Sequence, residues 1–238
     1  MCHAAFRPVF VLAFALALVG PCSAAPEKAH PDLKTLAGSD AQYYLSLPRG
    51  WNARASWPVM VTIDGSGHNF LGCFNNFVNA RGARPFIIVT PCVSSNGNDP
   101  AEFEAVLAMV KEVQKSASGQ AKFFITGFSA GGHLTWQFIF LHPELLAGAA
   151  PAAGNFRFRG VDAISKAPEL ARLPIHGFQG DKDGIKAALD EQWADAVKLA
   201  RDNGYENVTR TEVPGAGHQA FPGQVVAFFA SLLRKGRP

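Results

Sequence analysis

The sequence predicts an α/β fold in which a mostly parallel sheet is covered by helices on both faces. Short apolar runs alternate with longer amphipathic runs along the chain, and residues typical of turns separate them. Residues 58–63 form a continuous β-branched run, the kind found in strands that are buried on both faces. The chain has 238 residues, 48% of them hydrophobic and 17% charged, which suits one globular domain with a large core.

Apolar runs and helical patterns place the individual elements. We expect strands at residues 42–47, 58–63, 85–90, 123–126, 145–151, 175–179 and 208–213. We expect helices at residues 71–79, 133–142, 186–203 and 225–233, and one that opens at residue 99. That last helix is the clearest, because Asp99 is a good N-cap, Pro100 suits the first position and Glu102 the third. Residues 26–41 are polar and are predicted to be a loose N-terminal lead.

The N-terminus has the pattern of a secretory signal peptide. Arg7 precedes an apolar run at residues 9–19, and small residues follow it up to Ala25. Eleven apolar residues are too few for a permanent membrane-spanning helix. Cleavage after Ala24 fits best, and a lipid anchor on Cys22 is the weaker alternative. The sequence thus predicts a signal peptide at residues 1–24, the lead at residues 25–41, a folded domain at residues 42–238, and a secreted or periplasmic location.

Charge and cysteine content narrow the possible partners. Without residues 1–24 the chain carries 21 basic and 19 acidic residues, and no basic cluster stands out. Nucleic-acid binding and attachment to anionic membranes therefore have no support in the sequence. Cys73 and Cys92 remain as an even pair, which in an exported protein predicts a disulfide bond. Two buried free thiols are the alternative.

One stretch carries the pattern of a nucleophilic serine. The apolar run at residues 123–126 leads into Gly-Phe-Ser-Ala-Gly-Gly, and a helix-like run follows. A serine on such a sharp strand-to-helix turn needs small neighbours, and glycine at positions 127 and 131 provides them. The turn exposes Ser129 and directs the N-terminus of the next helix toward it, where N–H groups and the helix dipole favour a developing anion. An ordinary serine in a tight turn is the alternative.

Polar residues in other loops supply the groups that such a serine needs. His218 follows the last predicted strand and is the candidate base, while Asp181 and Asp183 follow the strand before it and are candidates for the acid. The oxyanion would be bound by the N–H of Ala130 and by Ser66, in the glycine-rich loop after an early strand. His68 in that loop is either a substrate contact or a solvated histidine.

The sequence indicates an open site without a cap domain. The connection at residues 155–172 is too short for a separate cap. Aromatic residues near the site either line a shallow apolar cleft, suited to bulky or polymeric esters, or belong to ordinary packing. They are Phe70, Trp136, Phe156 and Phe158.

These motifs together resemble secreted α/β-hydrolases. Residues 61–67, 127–132, 146–151 and 217–218 are most similar to bacterial polyhydroxybutyrate depolymerases, feruloyl esterases and dienelactone-hydrolase-like proteins. The resemblance covers residues 42–235 and implies an α/β-hydrolase fold with a Ser-Asp-His triad and no cofactor or metal. It favours Asp183 as the acid, since relatives often carry Gly-x-x-Asp after the strand. The chain departs at Asp64, where relatives often have histidine.

Three functions remain possible at this point. The first is an exported serine esterase that acts on a small-molecule or polymeric ester. The second is a peptidase or amidase on the same scaffold, which usually needs a gating domain or a charged pocket. The third is a binding protein that retains the fold without catalysis. The identity of the substrate and the oligomeric state are not encoded in these motifs.

Overall fold

An eight-stranded sheet forms the centre of the protein. The computed structural model describes Met1, residues 32–157, Val161 and residues 163–235. The strands in chain order are β1 (Leu33–Thr35), β2 (Gln42–Ser46), β3 (Trp57–Ile63), β4 (Ile87–Pro91), β5 (Gly119–Phe128), β6 (Leu146–Ala152), β7 (Ile175–Gly180) and β8 (Val208–Val213). Their order across the sheet is β1-β2-β4-β3-β5-β6-β7-β8. Strands β3 to β8 are parallel, whereas β2 pairs antiparallel with β1 and β4.

Helices cover the sheet on both faces, as the sequence predicted. In the described chain they are α1 (Phe70–Arg81), α2 (Pro100–Ser116), α3 (Gly131–Leu141), α4 (Lys186–Asp202) and α5 (Pro222–Lys235). Short 3₁₀ turns lie at Pro143–Leu145 and Leu170–Arg172. The predicted positions of the helices and of seven strands are confirmed, with ends that differ by a few residues.

Alternation along the central strands separates two apolar cores. Val59 and Val61 of β3 belong to the core that includes side chains of α2, α3 and α4, whereas Met60 belongs to the core of α1 and α5. Phe124 of β5 likewise packs in the second core, while Phe123 packs in the first. Successive side chains of a strand point to opposite faces, so the runs that the sequence shows as uniformly apolar are buried on both sides.

The N-terminal lead is more ordered than the sequence predicted. Residues 33–35 form strand β1, which extends the sheet beside β2. The sequence pattern missed this strand because three mostly exposed residues carry no apolar period. The predicted signal peptide, except Met1, and residues 25–31 lie outside the described residues. No helix in the described ranges is long and apolar enough to cross a membrane.

The predicted disulfide bond is wrong, because both cysteines are free. Cys73 is buried on α1, where its thiol contacts Thr62 of β3, and burial together with the nearby Asp64 raises its pKa to about 12. Cys92 follows β4 and lies near Tyr44 of β2, and burial raises its pKa to about 11. The Cys73 thiol is near Thr62 of β3 and Cys92 is near Tyr44 of β2, and strand β4 lies between these two strands in the sheet.

The buried Arg81 links α1 to the antiparallel edge of the sheet through hydrogen bonds. The Arg81 guanidinium donates hydrogen bonds to the Ser46 carbonyl (3.0 Å), the Ser46 hydroxyl (3.0 Å) and the Phe86 carbonyl (3.1 Å). Only 7% of Arg81 is exposed. These bonds satisfy the ends of β2 and of the segment before β4, so α1 keeps a defined position over the sheet.

We expect Arg81→Ala to lower the free energy of unfolding by about 3 kcal/mol, because two carbonyl groups lose a charged donor inside the protein. Arg84→Ala is the matched control: this exposed side chain bonds only to carbonyls of α1 itself, so the change should cost about 0.5 kcal/mol or less. Urea unfolding followed by circular dichroism measures both. Equal losses in the two variants would contradict the assigned role.

Candidate active site

Ser129 lies on a tight turn between β5 and α3. Its φ of 49° is in the left-handed region, which is rare for a residue with a side chain. A Cβ at Gly127 would lie 2.1 Å from the carbonyl oxygen of Gly131, and a Cβ at Gly131 would lie 2.4 Å from that of Asp64. Both glycines are therefore required by close backbone approach, which confirms the prediction made from the pentapeptide.

His218 lies between Ser129 and Asp183. Its Nε2 is 2.9 Å from the Ser129 Oγ, and its Nδ1 is 2.7 Å from the Asp183 Oδ2. The imidazole ring packs against Phe128, with ring centroids 4.8 Å apart. The three predicted residues come from the loops after β5, β7 and β8 and meet at the carboxyl ends of these parallel strands.

The Asp183 carboxylate is buried and well satisfied. Its side chain has no exposed surface, and it accepts hydrogen bonds from the Ile185 N–H (2.9 Å) and the Gln179 amide (2.9 Å) as well as from His218. Burial raises the pKa of Asp183, but these hydrogen bonds together outweigh burial and keep the pKa below its ordinary value. Asp183 is therefore ionised at neutral pH.

Asp181 contacts the loop that carries His218 and not His218 itself. Its Oδ1 accepts a hydrogen bond of 2.7 Å from the N–H of Gly215, in the loop that leads to His218. The neighbouring Lys182 N–H donates to the Ala216 carbonyl in the same loop (2.9 Å). A Cβ at Gly180 would lie 2.2 Å from that carbonyl oxygen. Asp181 thus braces the histidine loop, while Asp183 contacts the histidine itself.

The two predicted oxyanion donors line one cavity. Ser66 and Ala130 both face a cavity of about 250 Å³ beside Ser129. The Ala130 N–H stands just before α3, where helix N–H groups have no intrahelical acceptor. The loop that carries Ser66 approaches the turn closely, since a Cβ at Gly65 would lie 3.2 Å from the Ser129 Cβ. The loop therefore lies against the turn although Asp64 stands at its start.

Asn155 connects this cavity to Ser129. Its N–H donates to the Ser129 carbonyl (2.9 Å), and its side-chain oxygen is 3.5 Å from the Ser129 Oγ. Gln192 of α4 accepts from both the Asn155 amide (3.1 Å) and the Phe156 N–H (2.9 Å). The Asn155 side chain is held next to the serine by these contacts.

A carboxylate fixes the loop after β4, which lines the cavity. Glu102 of α2 accepts hydrogen bonds from the backbone N–H groups and hydroxyls of both Ser94 and Ser95. Burial raises the pKa of Glu102, but these bonds outweigh it, so the pKa is lowered. His68 reaches the same loop, with its Nε2 3.0 Å from the Ser94 carbonyl oxygen, and its ring stacks on Phe70. Its side chain also lines the cavity.

Two of the four aromatic residues, Trp136 and Phe156, belong to ordinary packing and not to an apolar cleft. Trp136 is fully buried and Phe156 is 3% exposed, and the two rings pack together in the core. Phe70 contacts His68, and Phe158 lies outside the described residues. Helix α3 buries nearly its whole surface, so an aromatic residue on it serves packing even close to the site.

Seven of the ten described lining residues were not predicted from the sequence as site residues. They are Ser94, Ser95, Asn96, Asn98, His133, Asn155 and Arg157. Asn155 and the polar residues at positions 94–98 carried a usable signal, because they follow β6 and β4 and hence lie at the same edge of the sheet as the other site residues. His133 lies at the start of a helix, and its Nδ1 accepts a hydrogen bond of 3.2 Å from the Arg157 N–H.

We expect Glu102→Gln to lower the free energy of unfolding by about 2 kcal/mol at pH 7, because a charged acceptor of several hydrogen bonds is lost. The folded-state pKa is depressed, so this stabilisation is present above the unfolded pKa of about 4.3 and disappears as the pH falls through the folded value. The difference between the two proteins should therefore shrink in acid. Glu104→Gln, on an exposed position of α2, is the control. A difference that did not depend on pH would be inconsistent with this account.

Comparison with known proteins supports the fold. No family model and no curated protein matches the sequence. Among solved structures, the chain is similar to poly(aspartic acid) hydrolase-1 from Sphingomonas sp. KT-1, with 17% identity, a TM-score of 0.65, and coverage of 84% of this chain and 96% of that one. The chain is also similar to the poly(3-hydroxybutyrate) depolymerase LpqC from Bordetella parapertussis, with 18% identity, a TM-score of 0.62, and coverage of 83% of this chain and 86% of that one. A feruloyl esterase module from Clostridium thermocellum is similar as well, with 16% identity, a TM-score of 0.59, and coverage of 84% of each chain. With the strand order and the turn after β5, these similarities establish that the chain has the α/β-hydrolase fold.

Proposed function

We propose that this protein is an exported serine hydrolase that cleaves carboxylic esters. One observation carries the proposal: Ser129, on a strained turn, is 2.9 Å from a histidine whose other nitrogen is 2.7 Å from a buried carboxylate. A serine is a weak nucleophile until a base removes its proton, and the base needs a third group to orient it. His218 provides the base for Ser129, and Asp183 provides the group that orients the base.

The reaction would begin with attack of the Ser129 Oγ on the ester carbonyl carbon, while its proton moves to the Nε2 of His218. The carbonyl oxygen becomes an oxyanion, for which the Ala130 N–H and Ser66 are the proposed donors. The C–O bond to the alcohol then breaks, and the leaving alcohol takes the proton from His218. Water attacks the acyl-serine with the same histidine as base, which releases the acid and restores Ser129.

Asp183 has two roles in this scheme. It accepts a hydrogen bond from the Nδ1 of His218, which leaves Nε2 unprotonated and able to accept the serine proton. Because the pKa of Asp183 is lowered, its negative charge is present when His218 becomes positively charged. The contacts from Gln179 and Ile185 hold the carboxylate in place.

Esters are the preferred substrate class over peptides. The similar structures include a thermostable esterase, a polyester depolymerase and a feruloyl esterase, although one is a poly(aspartic acid) hydrolase. The described residues contain no additional domain that would gate a peptide terminus. A non-catalytic binding protein would have no need for the strained serine or for its contact with His218. Access to Ser129 without a cap suits small or polymeric esters.

Ser129→Ala should abolish hydrolysis of short p-nitrophenyl esters and leave the melting temperature nearly unchanged, because the hydroxyl contributes chemistry and little packing. A fluorophosphonate probe should label the native protein at Ser129, as mass spectrometry of the labelled peptide would show. Ser116→Ala, whose hydroxyl bonds only to the Glu112 carbonyl, should keep full activity. Labelling that persisted in Ser129→Ala would exclude the assignment. Cleavage of aminoacyl anilides in preference to esters would favour the peptidase alternative.

Asp183→Asn should lower kcat by a factor on the order of 10⁴, the loss known for the corresponding change in the serine-protease triad, because His218 is left in the wrong tautomer. Asp181→Asn is the matched control two residues away. It weakens only the bond to Gly215 and should change kcat far less. Steady-state kinetics of both variants on one ester decides the question, and a greater loss at position 181 would transfer the role to Asp181.

A further inference from the structure

The cavity beside Ser129 has an unusual charge pattern. Among its described lining residues Arg157 is the sole arginine or lysine, and none is aspartate or glutamate. The remaining lining groups are hydroxyls, amides and imidazoles, together with Ala130. The Glu102 carboxylate, beside the lining residues Ser94 and Ser95, is engaged by their N–H groups. The cavity therefore offers one positive charge that no lining carboxylate cancels.

Arg157 is held at the cavity by its backbone while its charge stays available. The Arg157 N–H donates to the Nδ1 of the buried His133 (3.2 Å), which fixes the chain at this point. Within the described chain the guanidinium has no ion-pair partner, unlike Arg210, which contacts Asp190 (2.8 Å) and Glu212 (3.6 Å). A guanidinium can present two parallel donors to a carboxylate.

Asn96 provides a second polar group that lacks a partner. It is 5% exposed and has a φ of 52°, so its side chain is held inside the loop at a fixed position. Its Oδ1 is buried and has no hydrogen-bond partner among the described residues. A carboxylate has no hydrogen to donate to this oxygen, so Asn96 can bind such a ligand only through the N–H groups of its amide. An aliphatic chain in this cavity would instead leave further amides and hydroxyls unsatisfied.

We propose that this cavity binds a carboxylate of the substrate, so that the enzyme prefers esters whose acyl or alcohol part bears a free carboxylate. The proposal rests on the proposed ester hydrolysis and names its substrate class. One guanidinium balances one carboxylate, whereas a phosphate dianion would remain half neutralised. A cavity of about 250 Å³ next to Ser129 and Asn155 has room for a short acid rather than a long chain.

The test compares substrates that differ in charge and hardly in shape. For the acyl side these are ethyl hydrogen succinate and ethyl succinamate, and for the alcohol side acetoxyacetate and acetoxyacetamide. In the native protein we expect kcat/KM to be about tenfold higher for the acid of at least one pair, as charge-assisted hydrogen bonds imply. Arg157→Gln should bring that ratio close to one, and Arg157→Lys should restore part of it. The pair that responds identifies the side of the ester that the cavity binds.

Arg172→Gln is the control for net charge, since Arg172 lines a separate surface cavity. A ratio that Arg157→Gln leaves unchanged, or that Arg172→Gln lowers equally, overturns the proposal. Binding to Ser129→Ala separates this result from the chemistry, because it needs no turnover. Calorimetry should give a lower Kd for ethyl hydrogen succinate than for its amide, or for acetoxyacetate than for its amide, and adding Arg157→Gln should remove the difference. If the native protein hydrolyses none of the four esters but the difference in Kd is present, the ester function fails and the carboxylate site stands. Equal Kd values within both pairs refute the carboxylate site.

Discussion

The close approach of two backbones at the turn between β5 and α3 is the constraint on which the site depends. Gly127 and Gly131 leave no room for a Cβ, so the strand and the helix meet at a separation that only glycine permits. This contact forces Ser129 into a left-handed conformation and exposes its hydroxyl. It also puts the start of α3 beside the serine, where N–H groups that lack helical acceptors are available.

Each partner of the serine is held by its own loop contacts. Asp181 and Lys182 bond to the loop that carries His218, and Gln179 and Ile185 hold Asp183. The histidine therefore does not depend on the serine for its position. Such fixed geometry before substrate binding is what allows a triad to lower a barrier without reorganising during the reaction.

The sequence was most informative where local rules determine structure. The cap at Asp99, the continuous apolar run at residues 58–63 and the glycines of the turn each predicted a feature that the structure confirms, because short-range sterics and hydrogen bonds control them. It failed where direction in space matters. The pairing of Cys73 with Cys92 was inferred from their number and compartment, but both thiols are free, and Cys73 is near β3 whereas Cys92 is near β2. For Trp136 the sequence left a cleft and ordinary packing open, and the structure places the side chain in the core.

The sequence by itself determined the α/β architecture, the turn at Ser129 and the candidate residues of the triad, because each is encoded in a few neighbouring residues or in their order along the chain. The tertiary structure alone decided that Asp183 and not Asp181 contacts His218, since one residue of offset at the end of β7 reverses the choice. It also assembled the cavity lined by Asn96, His133 and Arg157. These residues come from three distant segments, and only the packing of the sheet and its loops brings them within reach of one another.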